Sequence, residues 1–239
     1  MKFAKPGRAS SAKFRQGHAQ EGKPDISKRK IVGFYDYTVV LTYCGMLCAF
    51  CGILRSVNRE FWEAMICLML AGICDMFDGA VASTKSRNAC EKRFGIQIDS
   101  LSDLISFGVL PGIFVYVIAE QTPLSGAVAA LFVLCALIRL AYFNVLEEER
   151  QNQTSEKRKS YIGVPVTTVA ITMPIAYMMY DYSLFKTTAC FPILLLLMGA
   201  GFISPVEIKK PGTLLKMCLI LLGVLEVLGM MFLMTWGEK

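Results

Sequence analysis

Apolar stretches of bilayer-spanning length recur along this chain and restrict it to a membrane fold. A helix needs about 20 predominantly apolar residues to cross the hydrocarbon core of a bilayer. Of the 239 residues, 54% are hydrophobic, and they are concentrated in long runs. The sequence predicts an all-α polytopic membrane protein with seven spans, at about residues 34–55, 60–82, 96–119, 124–146, 163–181, 187–204 and 213–236.

Basic residues predict how these spans are oriented. Residues 1–31 carry nine lysines and arginines against two acids and lack the apolar core of a signal peptide, which predicts a cytoplasmic and mostly disordered arm. The loops 83–95, 147–162 and 205–212 then lie on the same side, and they hold most of the other basic residues, as the positive-inside rule expects. The predicted units are the arm at 1–31, a transmembrane domain at 32–211 and an additional C-terminal transmembrane helix at 212–239.

Four aspartates lie within or at the edge of the second and third apolar stretches. A carboxylate at the centre of a spanning helix costs on the order of 2.5–3.5 kcal/mol, so a cluster of them requires a cationic partner. Asp75 and Asp78 are three residues apart, and Asp99 and Asp103 are four apart, so each pair shares one helix face. The predicted topology puts both pairs at the cytoplasmic side of the membrane.

Carboxylates that converge from two neighbouring helices suit a hard divalent cation. Oxygen donors favour Mg²⁺, Mn²⁺ or Ca²⁺ over zinc, and four carboxylates exceed what one octahedral Mg²⁺ normally takes, which favours a pair of ions. A single aspartate could instead be a proton relay, an ion-pair partner or a helix cap, but four at this spacing favour a metal site. The one histidine, His18, lies in the arm, which excludes histidine-dependent nucleophilic catalysis and histidine-rich metal sites.

The acids and the small residues between them carry a family resemblance. The pattern D-x-x-D-G-x-x-A from residue 75, followed by G-x-x-x-D-x-x-x-D from residue 95, resembles the signature of the CDP-alcohol phosphotransferases. Members of this family are integral membrane enzymes that move a phosphoryl-lipid or related group from a CDP-linked donor to an alcohol and release CMP. The resemblance covers about residues 34–211 and implies a six-helix core, to which the seventh span is an addition.

Further stretches resemble the phosphatidylserine synthase branch of that family. The third span continues as Ser-Phe-Gly-Val-Leu-Pro over residues 106–111, and the runs at 139–144 and 161–165 follow in the order that this branch shows. The resemblance implies that the phosphatidyl group of CDP-diacylglycerol is transferred to the hydroxyl of L-serine, giving phosphatidylserine and CMP. It also implies Mg²⁺ or Mn²⁺ as cofactors, with two ions expected, and a homodimer.

The resemblance also gives the motif residues expected roles. Asp75, Asp78 and Asp99 would hold one metal ion. Asp103 would help to hold the second ion and would act as the general base on the serine hydroxyl. No covalent nucleophile is evident, which favours direct attack by the alcohol. The CDP-binding residues would be Gly79, Ala82, Ser83 and Gly95.

The chain departs from the family pattern directly after the alanine of the first half-motif. The family usually has an arginine at the position of Ser83, and eight residues before the glycine where this chain has the eleven residues 84–94. A cation in this insertion could replace the missing guanidinium, although a lysine would not hold a phosphate in the same bidentate way. Near the end of the fourth span, Arg139 could snorkel to the interface or bind the serine carboxylate or a donor phosphate. The candidates for phosphate or serine binding are Lys85, Arg87 and Arg139.

The expected location is the lipid bilayer, as a multi-pass protein of a bacterial plasma membrane with its N-terminus and active site cytoplasmic. No nucleic-acid partner is expected. Two alternatives stay open: the same chemistry with another acceptor alcohol, such as glycerol 3-phosphate or an inositol compound, and a cation-coupled transporter. A transporter predicts an inverted repeat with broken helices at the membrane midplane, and the sequence shows no internal repeat.

Overall fold

The computed structural model of this protein describes residues 33–153, 160–182, 184, 187–209, 223–225 and 228–229. Its helices are α1 (Tyr37–Val57), α2 (Phe61–Ala82), α3 (Ala89–Asp103), α4 (Leu110–Ile118), α5 (Pro123–Gln153), α6 (Val169–Asp181) and α7 (Cys190–Ile203). A π-helical turn, Leu104–Val109, joins α3 to α4, and a 3₁₀ turn, Val166–Thr168, precedes α6. Two short antiparallel strands are also present, β1 (Ser160–Ile162) and β2 (Glu207–Lys209).

Within the described part of the chain, four helical stretches are long and apolar enough to cross a membrane, which confirms the predicted all-α membrane fold. Their mean hydropathy is 1.8 or higher. α6 and α7 have 13 and 14 residues, fewer than the roughly 20 that a spanning helix usually needs. The four long stretches are Tyr37–Val57, Phe61–Ala82, Ala89–Ile118 and Pro123–Arg150.

The predicted N-terminal arm and the predicted C-terminal helix lie largely outside the described residues. The basic arm predicted at 1–31 is not among them, and of the span predicted at 213–236 only residues 223–225 and 228–229 are, all helical. The helices from α1 to α7 belong to one compact unit, Phe34–Lys239. The boundaries between arm, transmembrane domain and additional helix stay predictions.

α3 begins at Ala89, about two turns before the third predicted span at 96–119. The side chain of Asn88 accepts a hydrogen bond from the backbone N–H of Glu91 at 2.8 Å, and the Glu91 carboxylate accepts one from the backbone N–H of Asn88 at 3.0 Å. This capping box satisfies two N–H groups that a helix start leaves free. The polar turns before residue 96 are therefore helical, and Asp99 and Asp103 lie in the later turns of α3 rather than in its first.

α1 and α2 pack closely through small residues. A Cβ added to Gly52 would lie 2.9 Å from the Cβ of Cys67, and one added to Gly45 would lie 3.1 Å from the Cβ of Cys74. Small residues at helix interfaces let backbones approach in membranes, where burial of apolar surface provides little drive for association. This close approach brings the first half of α1 against the end of α2 that carries the aspartates.

An aromatic cluster lies at the other end of α2. The ring of Phe114 in α4 meets Phe61, Tyr177 and Phe191 edge-on, at centroid distances of 5.3, 5.7 and 5.9 Å. Such edge-to-face pairs add to the stability from burial alone. Phe61 and Asp75 are separated by about 21 Å along the helix axis, at about 1.5 Å per residue. The acids are therefore remote from this part of the core.

The strand pair, which the sequence did not predict, connects the end of α7 to the segment before α6. Gly163 follows β1 with a φ of 73°, a conformation that favours glycine. Its backbone N–H donates to the carbonyl of Val206 at 2.8 Å. A Cβ at this position would lie only 2.7 Å from the carbonyl oxygen of Phe202. Glycine is thus required for this close contact between two backbones.

Candidate active site

Three aspartates from two helices converge at one point. Asp75 of α2 and Asp99 and Asp103 of α3 each place a carboxylate oxygen within 4.8 Å of the other two. Asp99 and Asp103 share a face of α3 because they are four residues apart on a regular helix. All three residues are half-buried. The structure therefore brings together three of the four aspartates predicted from the sequence to bind metal.

Asp78 lies beside this group and is held by a hydroxyl group of α1. Its Oδ2 accepts a hydrogen bond from Oγ1 of Thr42 at 2.9 Å, and both residues are buried. Asp78 lines the same small cavity as Asp75 and Asp103, although it is not one of the three acids within 4.8 Å of one another. Thr42 thus fixes the orientation of the fourth carboxylate.

A cavity of about 10 Å³, about the space of one water-sized particle, is lined by Asp75, Asp78 and Asp103. Hydroxyl groups line it together with the carboxylates. Ser102 donates to the backbone oxygen of Thr42 at 3.3 Å, and Ser106 of the π-helical turn is 2% exposed. Sequence reasoning missed the three hydroxyl residues that line this cavity, Thr42, Ser102 and Ser106. The available signal was their polarity within apolar helices, and for Ser102 and Ser106 also their spacing from Asp99 and Asp103.

The π-helical turn begins immediately after Asp103. Such turns change the angular position of the residues that follow and are frequent at functional sites. Ser106, within this turn, lines the same cavity as Asp103. The turn thus contributes to the shape of the site, and nothing in the local sequence predicts it.

The donor set fits a divalent cation. Among the described residues, no lysine or arginine forms an ion pair with any of the four aspartates. Carboxylates grouped in a membrane helix bundle without a cationic side chain are costly, and a hard cation would offset that cost through oxygen coordination. Carboxylate and hydroxyl oxygens around a cavity of this size are a chemistry that suits Mg²⁺ or Mn²⁺.

The predicted CDP-binding residues of the first half-motif lie at the end of α2. A Cβ added to Gly79 would have no heavy atom within 4 Å, so this glycine borders open space. Ala82 is half-buried and is the last residue of the helix. Ser83 is exposed, and its Oγ donates to the backbone oxygen of Ala80 at 2.7 Å. Ser83 is therefore engaged with the end of its own helix.

The two predicted cations of the loop between α2 and α3 have different surroundings. Lys85 forms an ion pair with Asp36, with 2.8 Å between Nζ and Oδ2. The guanidinium of Arg87 lies against α3, because a Cβ added to Gly95 would be 2.8 Å from its Nη1. Gly95 thus provides the space that this guanidinium occupies.

Asp36, which sequence reasoning missed, is the N-cap of α1 as well as the partner of Lys85. It accepts hydrogen bonds from the backbone N–H of Thr38 at 2.9 Å and from the Thr38 hydroxyl. The hydrogen bond from Lys85 is the main reason why the pKa of Asp36 is lowered from 3.8 to about 2. The same contact raises the pKa of Lys85. A second link, 3.1 Å between the hydroxyls of Tyr37 and Thr84, joins the same two segments.

Arg139 of α5 lines a different cavity from the one between the aspartates. It lines a cavity of about 260 Å³, bounded mainly by apolar side chains of α5 and by residues 202–205 at the end of α7. It is not among the residues that line the cavity between the aspartates. α5 approaches the acids through Asn144, whose Oδ1 accepts a hydrogen bond from Oγ of Ser100 at 2.9 Å.

A comparison with models of known protein families identifies the family of this chain. The model of the CDP-alcohol phosphatidyltransferase family matches residues 37–200, which include all four aspartates. This chain belongs to the CDP-alcohol phosphatidyltransferase family. The resemblance carried by the acid motif is thereby confirmed.

Curated relatives in this family come from several domains of life. The CDP-diacylglycerol–serine O-phosphatidyltransferase of Saccharomyces cerevisiae is 34% identical over 160 residues, covering 60% of this chain and 57% of the relative. The archaetidylserine synthase of Methanothermobacter thermautotrophicus is 33% identical over 159 residues, covering 66% and 64%. The CDP-diacylglycerol–serine O-phosphatidyltransferase of Helicobacter pylori is 28% identical over 199 residues, covering 80% and 78%.

The chain spans less than two thirds of the length of the first two relatives. Membership of the CDP-alcohol phosphatidyltransferase family and the four apolar helices together make it an integral membrane protein. The acids that could hold a metal lie inside the family domain.

Proposed function

We propose that this CDP-alcohol phosphatidyltransferase transfers the phosphatidyl group of CDP-diacylglycerol to the hydroxyl of L-serine, giving phosphatidylserine and CMP. The observation that carries the proposal is the convergence of Asp75, Asp99 and Asp103 within 4.8 Å inside the family domain. Two of the relatives described above are named as serine O-phosphatidyltransferases that use CDP-diacylglycerol, and the third is named as archaetidylserine synthase. These names support serine as the acceptor.

The aspartates are proposed to hold the cofactor, Mg²⁺ or Mn²⁺, with two ions. Asp75, Asp78 and Asp99 would be the ligands of one ion, and Asp103 would help to hold the other. When bound, the metal would neutralise negative charge on the diphosphate of the donor. Thr42 would keep the Asp78 carboxylate in one orientation through its hydrogen bond of 2.9 Å.

Asp103 is proposed as the general base. It would accept the proton of the serine hydroxyl as the hydroxyl oxygen forms a bond to the phosphorus attached to diacylglycerol. The bond between that phosphorus and the oxygen of CMP breaks in the same displacement, so CMP leaves with the electron pair. The open space beside Gly79 supports a role for Gly79 and Ala82 in contacting the cytidine moiety.

The proposed orientation puts the N-terminus and the site at the cytoplasmic face. The acids lie at the end of α2 and in α3, on either side of the loop 83–88, and the basic residues of this loop favour the cytoplasm. Serine and CMP could then exchange with the cytosol while diacylglycerol stays in the bilayer. A bacterial plasma membrane and a homodimer stay predictions.

The acceptor is tested by supplying CDP-diacylglycerol with a panel of alcohols and measuring CMP release by the purified protein in detergent. The panel contains L-serine, glycerol 3-phosphate and myo-inositol. We expect serine to give the fastest release. If serine gives none and another alcohol does, the chemistry stands and the acceptor is wrong.

The role of the acids is tested by Asp99→Asn and Asp103→Asn. We expect each to lower the rate of CMP release by about 10²–10⁴-fold, the usual contribution of a positioned acid or base. Asp181→Asn is a matched control, because Asp181 is an exposed residue at the end of α6. If a folded variant with both substitutions retains activity and metal dependence, Asp99 and Asp103 have no catalytic role.

A further inference from the structure

The guanidinium of Arg87 lies against α3 beside Gly95, where a residue with a Cβ would push it aside. A Cβ at Gly95 would lie 2.8 Å from Nη1 and 3.9 Å from Cζ of Arg87. Arg87 is half-buried, whereas Lys92 and Arg93, the other cations near the start of α3, are exposed. The position of this guanidinium is therefore set by contact with the helix rather than by solvent.

Gly95, which the Arg87 guanidinium contacts, lies on the face of α3 that carries Asp99 and Asp103. Gly95 and Asp99 are four residues apart in α3, so they share a face, with a rise of about 6 Å between them. Asp103 follows another four residues along the same face. Along the helix axis, the residue that contacts the guanidinium is thus about one turn from Asp99 and about two turns from Asp103.

Lys85 and Arg87, the two cations of the loop between α2 and α3, differ in whether they form an ion pair with an acid. Lys85 is paired with Asp36. Arg87 forms no ion pair with any acid among the described residues. A half-buried guanidinium with donors directed at no carboxylate is suited to bind an anion, and its planar fork matches two oxygens of a phosphate.

We infer that Arg87 binds the diphosphate of the CDP-linked donor, and that it does so in place of an arginine at position 83. Ser83 is engaged with the carbonyl of Ala80 and has no charge to offer. The inserted residues after Ser83 allow Arg87 to reach Gly95, next to the acids. One phosphate could then contact metal held by Asp99 and also receive two hydrogen bonds from the guanidinium. This inference rests on the proposed function, since it assumes a CDP-linked donor.

Kinetics with Arg87→Ala tests the inference in the full-length protein in detergent. We expect the KM for CDP-diacylglycerol to rise about 10–100-fold, as loss of a charge-assisted contact predicts, with the KM for serine unchanged. Arg87→Lys should recover only part of the loss, because lysine lacks the bidentate fork. Arg93→Ala is the matched control for overall charge and should retain the wild-type KM for the donor.

A binding measurement separates this role from a purely structural one. Isothermal titration calorimetry with CDP, with and without Mg²⁺, should show about 10-fold weaker binding to Arg87→Ala under both conditions. Arg93→Ala, the charge control, should bind CDP with wild-type affinity under both conditions.

The outcomes distinguish this inference from the proposed function. If wild-type protein releases CMP with serine but Arg87→Ala keeps the wild-type KM for the donor and the wild-type affinity for CDP, the inference fails and the function stands. A rise in the KM for serine alone would overturn the inference by making Arg87 an acceptor-binding residue. A loss of donor affinity in Lys85→Met but not in Arg87→Ala would overturn it as well. If wild-type protein releases no CMP with any alcohol, the proposed function itself fails.

Discussion

At the scale of single residues, a buried threonine connects three helices around the acids. Thr42 of α1 donates to Asp78 of α2, and its backbone oxygen accepts from Ser102 of α3. An oriented carboxylate loses less freedom when it binds a cation, which is why groups that hold metal ligands influence affinity although they do not touch the metal. Thr42 is therefore a positioning residue for the acid site.

Thr42→Val should weaken Mn²⁺ binding by about 10–100-fold, the usual effect of removing a partner of a metal ligand. The substitution keeps the shape of the side chain and removes the donor to Asp78. Mn²⁺ binding in detergent can be followed by electron paramagnetic resonance of the free ion. Thr42→Ser should restore affinity. Thr172→Val should not change it, because the Thr172 hydroxyl donates to the backbone oxygen of Thr168 and to Sδ of Met198 and to none of the acids. Unchanged Mn²⁺ affinity in Thr42→Val would contradict this role.

Asp36 gives a prediction about pH. Its pKa is about 2 in the folded protein against an ordinary value of 3.8, so its ionised form stabilises the fold at pH above about 4. That stabilisation is lost as pH falls from about 4 to about 2, because protonation removes the attraction to Lys85. Thermal unfolding of wild type and Asp36→Asn should therefore differ clearly at pH 5, and the difference should become much smaller as the pH falls to about 2. Equal differences at both pH values would show that the ion pair contributes nothing.

At the scale of elements, the start of α3 and the turn after it determine where the acids lie. The capping box of Asn88 and Glu91 starts the helix at Ala89, and the π-helical turn follows immediately after Asp103. The apolar pattern predicted a start near residue 96 because the first two turns are polar, and hydropathy alone does not register a capped polar turn. The capping box was nevertheless readable from the sequence, whereas the π-helical turn depends on packing.

Asn88→Ala should destabilise the protein by about 1 kcal/mol, the typical value for loss of an N-cap. Asn88 is exposed, so the effect reports capping rather than a cavity. The free energy of unfolding by a denaturing detergent provides the measurement. Asn88→Ser should retain most of the stability, because serine also caps helices well. If alanine and serine destabilise equally, the cap is not what sets the start of α3.

At the scale of the whole molecule, small residues determine how closely the helices pack. Gly52 of α1 lies against Cys67 of α2 and Leu110 of α4, with a prospective Cβ at 2.9 and 3.0 Å from their nearest atoms. A helix bundle in lipid depends on such contacts because lipid competes with every apolar side chain. The same packing holds α1 against α2, the helix that carries Asp75 and Asp78.

Gly52→Ala should lower the free energy of unfolding by about 1–3 kcal/mol, since overpacking outweighs the better helix propensity of alanine. Gly79→Ala is the matched control for stability, because a Cβ added at Gly79 would have no heavy atom within 4 Å. It should leave stability unchanged or slightly raised. Unfolding of both variants in mixed micelles compares them directly. Equal stabilities would mean that α1 shifts at no cost to accommodate the methyl group.

The sequence by itself determined the membrane class, the family and the acids, because these depend on composition and on spacing along one helix. Asp99 and Asp103 could be assigned to one face from their separation alone. The tertiary structure decided the contacts between helices and loops. Thr42 and Asp78 are 36 positions apart, and Lys85 and Asp36 are 49 apart. Such pairs depend on the rotation and approach of each helix, which the packing of all the helices determines together and which no local pattern records.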